Sequence, residues 1–151
     1  MKLYLMRHGE AEDGNIEPTR PLTDRGRTEV ERVGRYLKEE GVSPKRIVHS
    51  QKLRARETAG LISTALSIEA EEVEDLLPLD SPEIWRERLL SETGDMMLVG
   101  HMPYMGMMVS LLTTGSLNRA PVVFSEATVI CLERKDDGNF KVLFRVDAEE
   151  L

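Results

Sequence analysis

Four short apolar runs constrain the fold of this chain more than any other feature of its sequence. They are Leu3–Met6, Ile47–Val48, Met96–Val99 and Val129–Leu132. None of them alternates apolar and polar residues, so each is typical of a strand that is buried on both faces. A sheet of such strands needs helices on both sides to cover it.

The segments between these runs carry signals for the start and the end of helices. Thr23 is a suitable N-cap for a first helix that Gly41 can end. Ser50 is expected to cap a second helix, whose buried face is formed by Ala55, Ala59, Ile62 and Leu66. The remaining predicted boundaries are Ser81-Pro82 at the start of a third helix, and Pro103 and Gly115 at the limits of a fourth.

The order of strands and helices predicts an α/β fold with three layers, an α/β/α sandwich around a mostly parallel central sheet. Asp137-Gly138 lies between two β-prone runs and predicts an antiparallel hairpin at the C-terminus. The acidic segment 69–75 is expected to be a solvated loop. With 151 residues and no linker-like stretch, residues 1–151 are expected to form one domain.

Composition excludes several classes of function. The 20 basic and 27 acidic residues give a net charge of −7, which argues against nucleic acid as a partner. No apolar run is long enough to span a membrane or to form a signal-peptide core. The single cysteine, Cys131, lies in an apolar run and cannot form an internal disulfide, so a cytoplasmic location is expected.

All three histidines of the chain lie at or just after the end of an apolar run: His8, His49 and His101. Ligands of parallel sheets bind at the carboxyl ends of the strands, so we expect these side chains at one edge of the sheet. Gly9 is expected to let the chain turn there.

This edge has the residues needed for phosphoryl chemistry. A histidine attacks phosphorus when one ring nitrogen is unprotonated and the other is held by an acceptor, and His8 is the candidate. Arg7 can bind phosphate oxygens with its planar guanidinium. Arg54, in the first turn of the second helix, can contribute a second guanidinium. Arg20 lies just before the first helix and can fold over the same crevice, while His101 completes the pocket.

Four segments of the chain resemble the histidine phosphatase superfamily, and within it the short SixA-type phosphohistidine phosphatases. They are "MRHGEAE", "RPLTDRG", "SQKLRARETA" and "LVGHMPYMGMMVSLL". The resemblance implies a phosphoglycerate mutase-like fold for a single histidine phosphatase domain. It also implies that His8 is the nucleophile, that Arg7, Arg54 and His101 hold the phosphoryl group, and that Arg20 is an additional phosphate contact.

The expected activity is hydrolysis through a phosphohistidine intermediate, without a metal ion or other cofactor, and the expected substrate is a phosphohistidine protein. Gln51 stands where the family usually has proline, and His49 where it commonly has a small residue, so the role of His49 stays open. No general acid can be assigned. Its candidates are Glu17, Glu74, Asp75, Asp80 and Glu83.

Three other functions remain open at this stage. The first is a phosphatase of a small phosphorylated metabolite such as a sugar, a nucleotide or a cofactor precursor. The histidines and nearby carboxylates could instead bind zinc, although Arg7 and Arg54 would repel a cation. A phosphate-binding module without turnover would carry the same residues.

Overall fold

The computed structural model describes residues 1–151 and shows one six-stranded sheet with helices on both faces. The strands are β1 (Lys2–Arg7), β2 (Arg46–His49), β3 (Ala70–Glu72), β4 (Met96–Gly100), β5 (Val129–Arg134) and β6 (Phe140–Val146). The helices are α1 (Asp24–Glu39), α2 (Leu53–Leu66), α3 (Pro82–Leu89) and α4 (Tyr104–Thr114), followed by a final 3-10 turn at Ala148–Glu150. The predicted three-layer α/β/α architecture is confirmed.

The strand order across the sheet is β3-β2-β4-β1-β5-β6. The four strands β1 to β4 run parallel, whereas β5 and β6 form the antiparallel C-terminal hairpin predicted from Asp137-Gly138. Neighbouring parallel strands end together, with Arg7 of β1 opposite Gly100 of β4 and His49 of β2 opposite Val99. The register therefore brings the ends of β1, β2 and β4 to one edge.

Both faces of the central strands β1, β2 and β4 are buried, which explains why these strands lack alternation. In β1, Tyr4 and Met6 pack into the core under α1 and α2, whereas Leu3 and Leu5 pack into the core under α3 and α4. Each successive side chain thus enters an apolar core, because consecutive residues of a strand point to opposite faces.

The predicted helix limits are confirmed for α1, α3 and α4. The Thr23 hydroxyl accepts a hydrogen bond from the Gly26 N–H at 2.9 Å, and Ser81 accepts one from the Glu83 N–H at 3.3 Å. At the C-terminal end of α4, Gly115 adopts a left-handed φ of 82°, which glycine tolerates best.

Two local predictions were wrong. The acidic segment is not only a loop, because Ala70–Glu72 forms the edge strand β3, in register with β2. The strand is short and pairs on one side only, so its glutamates stay exposed. It therefore lacks the apolar residues from which the other strands were predicted. Ser50 does not cap α2 either: the N-cap is Lys52, without a side-chain cap hydrogen bond, because the helix begins only at Leu53.

Two further features bear on the sequence predictions. Cys131 is fully buried in the core, as expected of a small apolar side chain. None of the helices has the length and apolar character needed to cross a membrane.

Candidate active site

His8 and His101 meet at the carboxyl edge of the sheet, where β1 and β4 end side by side. Their ring centroids are 5.2 Å apart and the rings are tilted by 56°. The backbone N–H of His8 donates to the Gly100 carbonyl at 2.9 Å, which continues the strand pairing by one residue. Both side chains are buried, so the two imidazoles form the floor of the candidate site.

The His8 ring is held in one tautomer. Its Nδ1 lies 2.7 Å from the Gly9 carbonyl oxygen, which can only accept, so Nδ1 carries the proton and Nε2 presents a lone pair. Burial lowers the pKa of His8 to about 4, and the charges of Arg54, Arg7 and Arg20 act in the same direction, against the Gly9 hydrogen bond. The imidazole is therefore neutral at physiological pH.

Gly9 is required here for close packing against α1. A Cβ at this position would lie 2.7 Å from Cγ2 of Val30 and 3.1 Å from the Gly26 carbonyl oxygen. Gly9 does not have a positive φ, unlike Gly41 and Gly115, so its backbone conformation does not require glycine. Glycine is needed at this position because there is no room for a Cβ atom.

Three arginines from separate segments act electrostatically on the same site. Arg7 ends β1 and donates from a terminal nitrogen to the Phe124 carbonyl at 2.8 Å. Arg54 is in the first turn of α2, as predicted, and its pKa is lowered by burial and by the charges of Arg20 and Arg7. Arg20 has a φ of 51°, unusual for a non-glycine residue, and its Nε donates to the Glu12 carbonyl at 2.9 Å. All three guanidiniums are near enough to His8 for their charges to lower its pKa.

Four buried side-chain polar atoms of the chain lack a hydrogen-bond partner, and three of them belong to predicted phosphate-binding residues. These three are Nε of Arg7, Nε of Arg54 and Nδ1 of His101, and the fourth is the Tyr104 hydroxyl. Buried polar groups are nearly always paired, so such a cluster needs an explanation. A phosphoryl group, with several acceptor oxygens and negative charge, has the chemistry to pair with all three nitrogens.

His101 is neutral as well. Burial, together with the neighbouring His8, Arg54, Lys52 and Arg7, lowers its pKa to about 3. Its Nε2 lies 2.6 Å from the Ser50 hydroxyl oxygen. Ser50, which directly follows β2, therefore contacts the predicted site through His101.

His49 lies at the same edge but does not join the pair of facing imidazoles. Its buried ring places Nδ1 2.8 Å from the Ser50 carbonyl oxygen, and its own carbonyl accepts from the Val73 N–H at 2.9 Å. These contacts hold together the backbone that follows β2 and β3.

None of the five candidate carboxylates hydrogen-bonds to the facing histidines or to Arg54. Asp75 pairs with Arg88 at 2.6 Å, and Asp80 accepts from the Leu77 N–H at 2.9 Å. No group of three or more His, Cys, Asp or Glu side chains lies close enough together to hold a metal ion.

Sequence reasoning missed three contacts that shape the site. They are the Ser50 hydroxyl on His101, the Thr58 hydroxyl on the Gly9 N–H at 3.0 Å, and the Phe124 carbonyl on Arg7. Thr58 and Ser50 both belong to the segment "SQKLRARETA", which resembles the family motif, but the motif did not indicate what their hydroxyls contact. No sequence signal pointed to Phe124, because a backbone carbonyl is present at every residue.

A neutral imidazole under the influence of three arginine charges, at the carboxyl edge of an α/β sheet, defines a site suited to phosphoryl groups. The sequence matches the model of the histidine phosphatase superfamily (branch 1) over residues 3–81, and the chain belongs to this superfamily. Membership supports a phosphatase of the histidine phosphatase type. The phosphohistidine phosphatase SixA of Escherichia coli (strain K12) is 27% identical over 146 residues, covering 92% of this chain and 89% of SixA.

Solved structures confirm the fold. A protein histidine phosphatase SixA complexed with tungstate superposes with a TM-score of 0.89 at 24% identity, over 99% of both chains. A phosphoserine phosphatase from Entamoeba histolytica in complex with phosphoserine superposes with a TM-score of 0.76 at 16% identity, over 99% of this chain and 98% of that one. At these identities the likeness concerns the fold alone.

Proposed function

We propose that this protein is a protein phosphohistidine phosphatase that works through a phosphorylated His8. The observation that carries the proposal is the set of unpartnered buried nitrogens on Arg7, Arg54 and His101 around the neutral ring of His8. Similarity to SixA across most of both chains supports the same substrate class.

In this proposal the arginines neutralise the charge of the substrate. Arg7 and Arg54 bind the phosphoryl oxygens, His101 donates one further hydrogen bond, and Arg20 contacts the group from the loop before α1. Fixed positive groups in a buried site stabilise the charge that spreads over these oxygens in the transition state. Charge compensation by the protein itself removes the need for a metal ion.

The reaction proceeds in two transfers. The Nε2 lone pair of His8 attacks phosphorus in line, a P–N bond forms to His8, and the P–N bond to the substrate imidazole breaks. The departing imidazole takes up a proton from solvent. Water then attacks the phosphorus on His8, which releases inorganic phosphate and restores the Nε2 lone pair.

Two features favour phosphohistidine over an ordinary phosphate ester. An imidazole leaves more easily than an alkoxide, and the described carboxylates make no hydrogen bond within the site that would mark a general acid. The chain between Thr58 and Met96 contains only the rest of α2, β3, α3 and their connections, without a large inserted lid. An open site of this kind can admit a protein side chain.

A small phosphorylated metabolite is the second candidate substrate. It is favoured by the occurrence of the same fold in a phosphoserine phosphatase. Such a substrate would need a proton donor for its alkoxide, and one of the five candidate carboxylates would have to approach the site when the substrate binds.

A substrate panel tests the proposal. Phosphohistidine peptides and phosphorylated sugars, nucleotides and amino acids are assayed with the wild type and with His8→Ala. We expect the highest kcat/KM for phosphohistidine, no turnover by His8→Ala, and an acid-labile phosphoryl group on His8 after rapid quenching. A preference for a metabolite would support the second candidate, and phosphate binding without turnover of any compound would support a binding module.

We further propose that residues 1–151 act as one histidine phosphatase domain. The family match ends at residue 81, but β4 and His101, which complete the sheet edge, lie beyond it. The cytoplasmic location remains a prediction from composition.

A further inference from the structure

Ser50 is a fully buried polar residue that the mechanism above does not use. It follows β2, and its N–H donates to the Val99 carbonyl at 3.3 Å, which fixes its backbone against β4. The hydroxyl lies 2.6 Å from Nε2 of His101. A short, buried contact of this kind to a predicted phosphate-binding residue suggests a specific role.

The hydrogen bonds around Ser50 determine which group donates. The Lys52 N–H points at the Ser50 oxygen from 3.4 Å, so this contact uses the hydroxyl as an acceptor. The only acceptor near the hydroxyl is Nε2 of His101. A serine hydroxyl has one proton and two lone pairs. If Nε2 donated to it instead, the buried hydroxyl proton would have no acceptor, so the arrangement that pairs every group has the hydroxyl donating to Nε2.

A neutral imidazole that accepts at Nε2 carries its proton on Nδ1. Burial, with the nearby His8, Arg54, Lys52 and Arg7, keeps the pKa of His101 low enough that the ring stays neutral. Nδ1 is also the buried nitrogen of this ring that lacks a partner. In the opposite tautomer, Nδ1 would present a lone pair, which repels a phosphoryl oxygen.

We propose that Ser50 is a positioning residue that holds His101 in the Nδ1–H tautomer, so that His101 donates a hydrogen bond to the bound phosphoryl group. The claim that the Nδ1 proton binds a phosphoryl group rests on the proposed function. The claim that His101 is the Nδ1–H tautomer does not. Ser50 acts only through His101 and touches no substrate atom.

The tautomer is measured directly by two-bond ¹H–¹⁵N NMR correlations of the His101 ring at neutral pH, assigned with His101→Ala. We expect the Nδ1–H form in the wild type and a shift toward the Nε2–H form in Ser50→Ala. Finding the proton on Nε2 in the wild type, or an unchanged tautomer in Ser50→Ala, would overturn the proposal. This measurement requires no catalytic activity.

A double-mutant cycle then tests whether Ser50 works through His101. Affinity for inorganic phosphate and kcat/KM for a phosphohistidine peptide are measured for the wild type, Ser50→Ala, His101→Ala and the double variant. We expect Ser50→Ala to weaken both by about tenfold, with no further loss when His101 is already alanine. An equal loss in both backgrounds would mean that Ser50 is only structural.

Ser110→Ala is the matched control. Ser110 lies on α4 and is also fully buried. Its hydroxyl donates to the Ser116 carbonyl at 2.5 Å and accepts from the Ala120 N–H at 2.9 Å. We expect this variant to lose stability while keeping phosphate affinity and the His101 tautomer. If phosphate affinity and tautomer follow the proposal but no substrate is hydrolysed, the proposed function fails and the role of Ser50 stands.

Discussion

The hydroxyl of Thr58 accepts a hydrogen bond from the backbone N–H of Gly9 at 3.0 Å. The same hydroxyl donates to the Arg54 carbonyl at 2.7 Å, one turn earlier in α2. One side chain thus connects the segment that carries His8 to the helix turn that carries Arg54. The relative position of the proposed nucleophile and the Arg54 guanidinium is therefore constrained by a buried hydrogen bond between two distant segments.

Thr58→Val tests this connection because it keeps the shape of the side chain and removes the hydroxyl. The buried Gly9 N–H would lose its acceptor, so we expect the free energy of unfolding to fall by about 1–3 kcal/mol. We also expect kcat to fall, because His8 and Arg54 would no longer be held together. Chemical denaturation and steady-state kinetics measure the two effects.

Thr64→Val is the control for that substitution. Its hydroxyl lies on the exposed side of α2 and donates to the Gly60 carbonyl within the helix. We expect a change of less than about 0.5 kcal/mol and normal kinetics. Equal effects of the two variants would show that the contact with Gly9 is unimportant.

Arg54→Ala is expected to lower turnover by on the order of 100-fold, which corresponds to about 3 kcal/mol of transition-state stabilisation in a buried site. Arg54→Lys should recover part of the rate, since it restores charge without the planar fork. Arg56→Ala, an exposed position on the same helix, serves as the control and should behave as wild type. A near-normal rate for Arg54→Ala would refute the role of Arg54.

The low pKa values of His8 and His101 predict a pH dependence of stability. Unfolded histidines titrate near 6.5, whereas the folded ones titrate at about 4 and about 3, so between these limits only the unfolded chain binds the protons. The free energy of unfolding should therefore fall as the pH is lowered from 7 toward 5, by up to about 1.4 kcal/mol per pH unit for each histidine.

Urea denaturation at several pH values checks this expectation. In His8→Gln one titrating group is absent, so the decrease between pH 6.5 and 5 should be smaller than in the wild type. An identical slope in both proteins would mean that His8 titrates normally in the folded state.

Removal of metal ions should leave the activity unchanged. In the proposed mechanism, the guanidiniums of Arg7 and Arg54 supply the positive charge that a metal ion would otherwise supply to the phosphoryl group. Activity is compared before and after dialysis against EDTA. Loss of activity that zinc restores would favour the metal-site alternative.

The fold could be predicted largely from local patterns. Leu3–Met6 and Met96–Val99 are continuously apolar because both faces of the sheet are covered, and Thr23 and Gly41 marked the limits of α1. The pattern failed at Ala70–Glu72, since a three-residue edge strand is defined by its pairing with β2 and carries too few apolar residues to be recognised.

The sequence by itself determined which residues could do the chemistry, because Arg7, His8, Arg54 and His101 stand at strand ends or in a first helical turn, where side chains reach the sheet edge. Only the tertiary structure decided how they are held. The Gly9 carbonyl on His8, the Ser50 hydroxyl on His101 and the Phe124 carbonyl on Arg7 are contacts that fix a tautomer or an orientation. Two of them join segments 51 and 117 residues apart. Such contacts depend on the packing of whole elements, which local sequence patterns do not encode.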